Sequence, residues 1–141
     1  EVIGDPDPDY VARIRKGEKT APPIMALAWA MPALWPPKEP SEPHEKIEHA
    51  LSEGGYPVLL GVGLEQDFKR PIRIGDRLSY KVKVEGVSAG EQDTRMGRGY
   101  LVDLLYSFQN QAGELVSTHK YKLLALSRLA PRSSAAAAKE A

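Results

Sequence analysis

From Val58 onward apolar and polar residues alternate. Leu60, Val62, Leu64, Gln66 and Phe68 are separated by Gly61, Gly63, Glu65 and Asp67, and a period of two predicts a strand. A second strand is predicted where Leu78, Tyr80, Val82 and Val84 alternate with Ser79, Lys81, Lys83 and Glu85, the pattern of an antiparallel strand with one wet face. Tyr100, Val102, Leu104, Tyr106 and Phe108 line a third, whose other face Leu101 and Leu105 make partly apolar. Residues 110–113 predict a hairpin turn with Gly113 at the position needing positive φ. Residues 114–126 then form the fourth strand. The segments 70–76 and 86–99 read as a connection turning at Gly75 and as a long turn.

The N-terminal half has a different rhythm. Residues 20–35, TAPPIMALAWAMPALW, are apolar all round after two prolines that suit the first turn of a helix. Such a helix is a membrane span or is enclosed by protein, and the run is shorter than the roughly 20 residues a span requires. It is therefore expected to be a long buried helix. Before it, the Asp-Pro pairs of residues 5–9 predict a turn and residues 11–16 a short helix ending at Gly17. After it, PPKEPSEP reads as a surface connection, and residues 45–52 as an amphipathic helix with Ile47, Ala50 and Leu51 on one face. His44 and His49 sit in polar surroundings and read as surface residues.

One buried helix followed by antiparallel strands predicts an α+β domain over residues 1–126, a curved sheet wrapped around the helix. Residues 127–141 read as a disordered tail or linker. Four strands leave a long edge and an incomplete cover, so pairing with a second copy or a relative is expected. Lys plus Arg and Asp plus Glu are 19 each in 141 residues, and without a basic stripe nucleic acid is not an expected partner. Nor is a membrane. The absence of cysteine excludes disulfides, thiolate metal sites and a cysteine nucleophile. No trio of residues has metal-ligand spacing, and the default expectation for localisation is cytoplasmic.

The segments TAPPIMALAW, GLEQDFKRPIRIGDRLSYKVKV and GYLVDLLYSFQNQAGELVSTHKYKLLAL, with GDPDPDY ahead of them, resemble the MaoC-like hot-dog domains, which act on acyl thioesters. The likeness covers residues 3–126. Within that family it is most similar to the non-catalytic subunits of heteromeric enoyl-CoA hydratases handling steroid side chains in cholesterol or bile-acid breakdown, on the strength of Gly54-Gly55-Tyr56 and Gly97-x-Gly99-Tyr100. The resemblance implies a hot-dog fold paired with a second hot-dog domain and an acyl-CoA substrate without further cofactor. It also implies two catalytic elements, and both are altered here. Where catalytic members carry an Asp and, five residues on, a His that activate water, this chain has Asp5 and Tyr10, and a phenol of ordinary pKa near 10 is a poor base. Where they carry a Gly whose N–H polarises the thioester carbonyl at a helix start, it has Pro23, preceded by Pro22, and proline has no N–H.

The implied role is an accessory subunit that shapes the acyl tunnel beside a catalytic MaoC-like partner. Met25, Trp29, Gln66 and Phe68 are the candidate substrate-binding residues. Lys69, Arg70 and Arg73 are candidates for the CoA phosphates. Each has a plainer reading: Asp5 as a turn residue, Tyr10 as a packed aromatic, the apolar residues as core, Gln66 as a satisfied buried amide, and the cations as solvated charge. His119 can point inward but is a weak signal alone. Two rival functions remain open, a self-sufficient hot-dog thioesterase or dehydratase using Asp5 or another carboxylate, and a scaffold docking an aldolase- or thiolase-like protein.

Overall fold

The computed structural model describes residues 8–17, 19–32, 35–36 and 38–128. Its elements in order are α1 (Pro8–Arg15), β1 (Thr20–Ala21), a 3-10 turn (Pro23–Met25), α2 (Ala26–Trp29), α3 (Pro43–Glu53), β2 (Val58–Phe68), β3 (Ile72–Arg73), β4 (Ser79–Val87), β5 (Gln92–Thr94), β6 (Gly97–Gln109) and β7 (Leu115–Leu126). β2, β7, β6 and β4 form an antiparallel sheet in that spatial order, with β5 added beside β6. β1 and β3 pair as a separate small ladder. The four long strands lie where alternation predicts them. The expected long turn at 86–99 instead contains β5, which folds back on the start of β6 through Gln92↔Gly99 to Thr94↔Gly97.

Register explains which face is the core. Val102, Leu104, Tyr106 and Phe108 stand opposite Leu123, Tyr121, His119 and Ser117, so all eight share the helix-facing side. Val102, Leu104 and Phe108 are each at most 2% exposed, and full burial of such a side chain stabilises the fold by roughly 1.5–3 kcal/mol. Gln66 and Phe68 join this face opposite His119 and Ser117, as does Leu64 opposite Tyr121. A bulge between Gly61 and Gly63 reverses the alternation upstream, so that Gly61 rather than Leu60 lies across from Leu123. One extra residue in a strand has that effect.

The apolar run 20–35 is not one long buried helix. Pro22 and Pro23 withhold the first N–H groups, and Pro32 removes another donor and disfavours helical geometry at Met31. What forms is a 3-10 turn and the four residues of α2. Ala26 is fully buried, but Trp29 is 50% and Met31 70% exposed. The element laid over the sheet with α2 is α3, whose Ile47 and Leu51 pack on the core. α3 is longer than expected because the Glu45 carboxylate accepts hydrogen bonds from the N–H groups of Ser41 (2.8 Å) and Glu42 (3.0 Å), a capping arrangement that starts the helix at Pro43. These bonds hold the Glu45 carboxyl below its ordinary pKa.

Candidate functional site: a cavity between the helices and the sheet

On α3 the residues at i, i+3, i+4 and i+7 are His44, Ile47, Glu48 and Leu51, and this stripe faces the sheet. Ala50, expected on that face, is exposed. Between the stripe, the segment 27–32 and the sheet lies a cavity of about 450 Å³. Leu27, Ala30, Met31 and Leu64 give it apolar walls, and His44, Glu48, Tyr80, Tyr106 and Tyr121 bring polar groups to it. Its volume falls in the range of small-molecule sites, roughly 300–1,000 Å³.

His44, a surface residue by the sequence reading, is 8% exposed. Its ring meets that of Tyr106 edge-on with centroids 5.9 Å apart, and its Nδ1 is buried without a hydrogen-bond partner. Burial raises the Glu48 carboxyl pKa, opposed by the nearby His44. Burial also pushes the Tyr106 phenol up to about 12, with Glu48 contributing. Tyr80 donates to the Ala30 carbonyl at 3.3 Å and so ties β4 to the end of α2. Gly61 makes room for Tyr121: a Cβ there would lie 2.3 Å from the Tyr121 hydroxyl. The helical spacing of His44 with Ile47 and Leu51 was the available sequence signal for this cluster, while the three tyrosines converge only through strand register.

The sequence-predicted residues fall around this cavity unevenly. Met25 and Trp29 turn outward, 41% and 50% exposed, while Leu27, Ala30 and Met31 line the cavity. Gln66 and Phe68 surround His119 instead. Gln66 Nε2 lies 2.9 Å from His119 Nδ1, Ser117 Oγ lies 2.9 Å from His119 Nε2, and the Phe68 ring stands edge-on at 5.9 Å. His119 is fully buried, and burial lowers its pKa, so a neutral ring with Nε2–H donating to Ser117 satisfies all three groups. Both ring nitrogens are then occupied, leaving no lone pair to take a proton.

Pro23 is buried at the start of the 3-10 turn, and the Met25 N–H is spent on the Pro22 carbonyl at 3.1 Å. Tyr10 lies in α1, its side chain outside the described residues, as is Asp5. Of the cations, Lys69 pairs with Asp67 and Arg70 with Glu114 at 2.7 Å. Arg73 keeps its guanidinium out of any ion pair among the described residues and borders a cavity with Lys19 and Thr20. Among the described residues no three His, Asp or Glu side chains come together as metal ligands, and no helix is long and apolar enough to cross a membrane.

The sequence motifs behind the resemblance turn out to meet one another. Gln111 donates to Asp76 at 3.0 Å, which with the Arg70–Glu114 pair joins RPIRIGD to NQAGELV. Tyr56 and Tyr100 meet edge-on at 5.0 Å, and Tyr56 donates to Glu91, which also holds Arg98 at 2.9 Å. These residues fasten loops to strand ends rather than face the cavity.

An antiparallel sheet with helices across one face and a ligand-sized cavity between the two layers defines a MaoC-like hot-dog domain. The chain belongs to the family described as FAS1-like, dehydratase domain region, whose model matches residues 2–119. It is 33% identical over 132 residues to a probable enoyl-CoA hydratase alpha subunit of Thermomonospora curvata. That match takes in 88% of this chain and 41% of the relative, so the chain spans less than half of the relative's length. The ChsH1–ChsH2 complex from Mycobacterium tuberculosis superposes with a TM-score of 0.72 over 92% of this chain and 75% of the matched chain, at 24% identity, a likeness of fold.

Proposed function

We propose that this chain is the accessory half of an enoyl-CoA hydratase, forming the acyl cavity for a bulky, steroid side-chain enoyl-CoA while a catalytic MaoC-like partner adds the water. The observation that carries this reading is the entry to the 3-10 turn. Two successive prolines supply no N–H there, and the Met25 N–H is already bonded, so the residue standing where the family's glycine would donate to a thioester oxyanion has no donor to give. Tyr10 in place of a histidine supports the same conclusion. The reaction is a redox-neutral addition of water that needs no cofactor beyond the CoA of the substrate. Arg73 with Lys19 is the pair best placed to meet its phosphates, since Lys69 and Arg70 are engaged in ion pairs.

A partner is supported by the surface. Ile24, Met25, Trp29, Met31 and Trp35 are 41–82% exposed, and the outer edge of β2 carries exposed Leu59, Val62, Leu64 and Phe68. Apolar surface of this kind on a long edge strand, whose outer edge is unpaired among the described residues, marks an interaction site. The name of the Thermomonospora relative, an alpha subunit, points the same way.

The test is hydration of a steroid side-chain enoyl-CoA by the purified chain alone and together with a catalytic MaoC-like subunit. Activity only in the mixture is expected. Strong hydration by the chain alone would overturn the reading and move attention to His44 and Glu48 as its acid and base.

A further inference from the structure

We infer that the cavity between α3 and the sheet recognises a hydroxyl group on the acyl moiety, held by His44, Glu48 and Tyr106. The inference rests on the reading that the cavity receives an acyl group. Its lining residues are of two kinds: Leu27, Ala30 and Leu64 suit a hydrocarbon framework, whereas His44, Glu48, Tyr106 and Tyr121 bring polar groups. His44 Nδ1 is buried without a partner, and Glu48, Tyr106 and Tyr121 line the cavity without a hydrogen bond or ion pair to another described residue. An unpartnered polar group inside a protein is costly, and a purely hydrocarbon ligand would deepen that cost by displacing the water that otherwise satisfies it.

The chemistry of the four groups selects the ligand. A carboxylate and an imidazole nitrogen accept, and a phenol both donates and accepts. A hydroxyl presents one donor and two acceptor sites, so it can give its proton to Glu48 or His44 and take one from Tyr106 or Tyr121. A methylene at that place satisfies none of them. The raised pKa of the Glu48 carboxyl and of the Tyr106 phenol fits a water-poor setting for that contact.

The experiment compares thioesters of two acids with the same steroid skeleton, cholanoyl-CoA without ring oxygen and lithocholoyl-CoA with one ring hydroxyl, by calorimetric titration of the chain alone and with a catalytic MaoC-like subunit. One satisfied hydrogen bond to a charged group corresponds to about tenfold tighter binding of the hydroxylated ligand. Glu48→Gln and Tyr106→Phe, which keep shape and fold, should each cut that preference to about twofold, with cholanoyl-CoA bound no more weakly than by the wild type. Equal affinities for the two ligands, or variants that weaken both alike, would overturn this inference and leave the acyl-cavity reading intact. Failure of both ligands to bind in either format would overturn the acyl-cavity reading and this inference with it.

Discussion

His119 offers the sharpest test of how the core is built. The ring is fully buried and sits between Gln66 Nε2 and Ser117 Oγ, each 2.9 Å away. His119→Leu replaces it with an apolar side chain of similar size, so the loss is mainly of hydrogen bonding. Gln66 is only half-buried, and its amide can turn to water. Ser117 is 1% exposed and cannot. An orphaned buried hydroxyl costs about 1–3 kcal/mol, so the variant should lose about 2 kcal/mol, or roughly 4–8 °C of melting temperature for a domain of this size. Removing the orphan as well, in Ser117→Ala/His119→Leu, should recover most of that loss, because replacing both partners by apolar groups is nearly neutral. A second signature is pH. Burial lowers the His119 pKa below its ordinary 6.5, so below that value the unfolded chain binds a proton that the folded chain does not. Wild-type stability should therefore fall as pH drops through 6.5, and His119→Leu should remove this part of the slope. Urea unfolding followed by circular dichroism at pH 5 to 8 measures both. A double variant no more stable than the single one, or an unchanged slope, would refute the neutral, doubly bonded histidine.

Three further outcomes are expected. Gly99→Ala should be severe: its Cβ would lie 1.9 Å from the Ala125 carbonyl oxygen, and since that atom belongs to the backbone of β7, relief must come from the β6–β7 ladder, at a cost above about 3 kcal/mol readable in the urea midpoint. Gly61→Ala meets only the end of the Tyr121 side chain, so the ring should tilt into the cavity at a cost of about 1 kcal/mol and weaken steroid acyl-CoA binding in calorimetry. Glu48→Gln should raise the melting temperature at pH 7, because burial disfavours the carboxylate; the gain should vanish near pH 4, where Glu48 is protonated in both folded and unfolded chains.

The four long strands, the inward faces of β4 and β6 and the hairpin at Gly113 were legible from residue spacing, because a strand's periodicity is a local property that burial on one side imprints on the sequence. The family was legible in the order of its motifs, and so was the loss of an N–H donor at Pro22 and Pro23, which follows from covalent structure. The apolar run 20–35 misled because hydrophobicity does not say what does the covering. Its prolines, Pro32 included, limit it to a 3-10 turn and one helical turn, and much of its apolar surface stays open. The bulge at Gly61 and Gly63 changed which residues of β2 look inward, a single-residue event without a composition signal. The polar cluster depended on structure for the same reason. His44 and Glu48 share a helix face by spacing, but only the pairing of β4, β6, β7 and β2 brings Tyr80, Tyr106 and Tyr121 to meet them. Local chemistry wrote the elements, and the tertiary fold created the cavity by bringing together residues as distant in sequence as Leu27 and Tyr121.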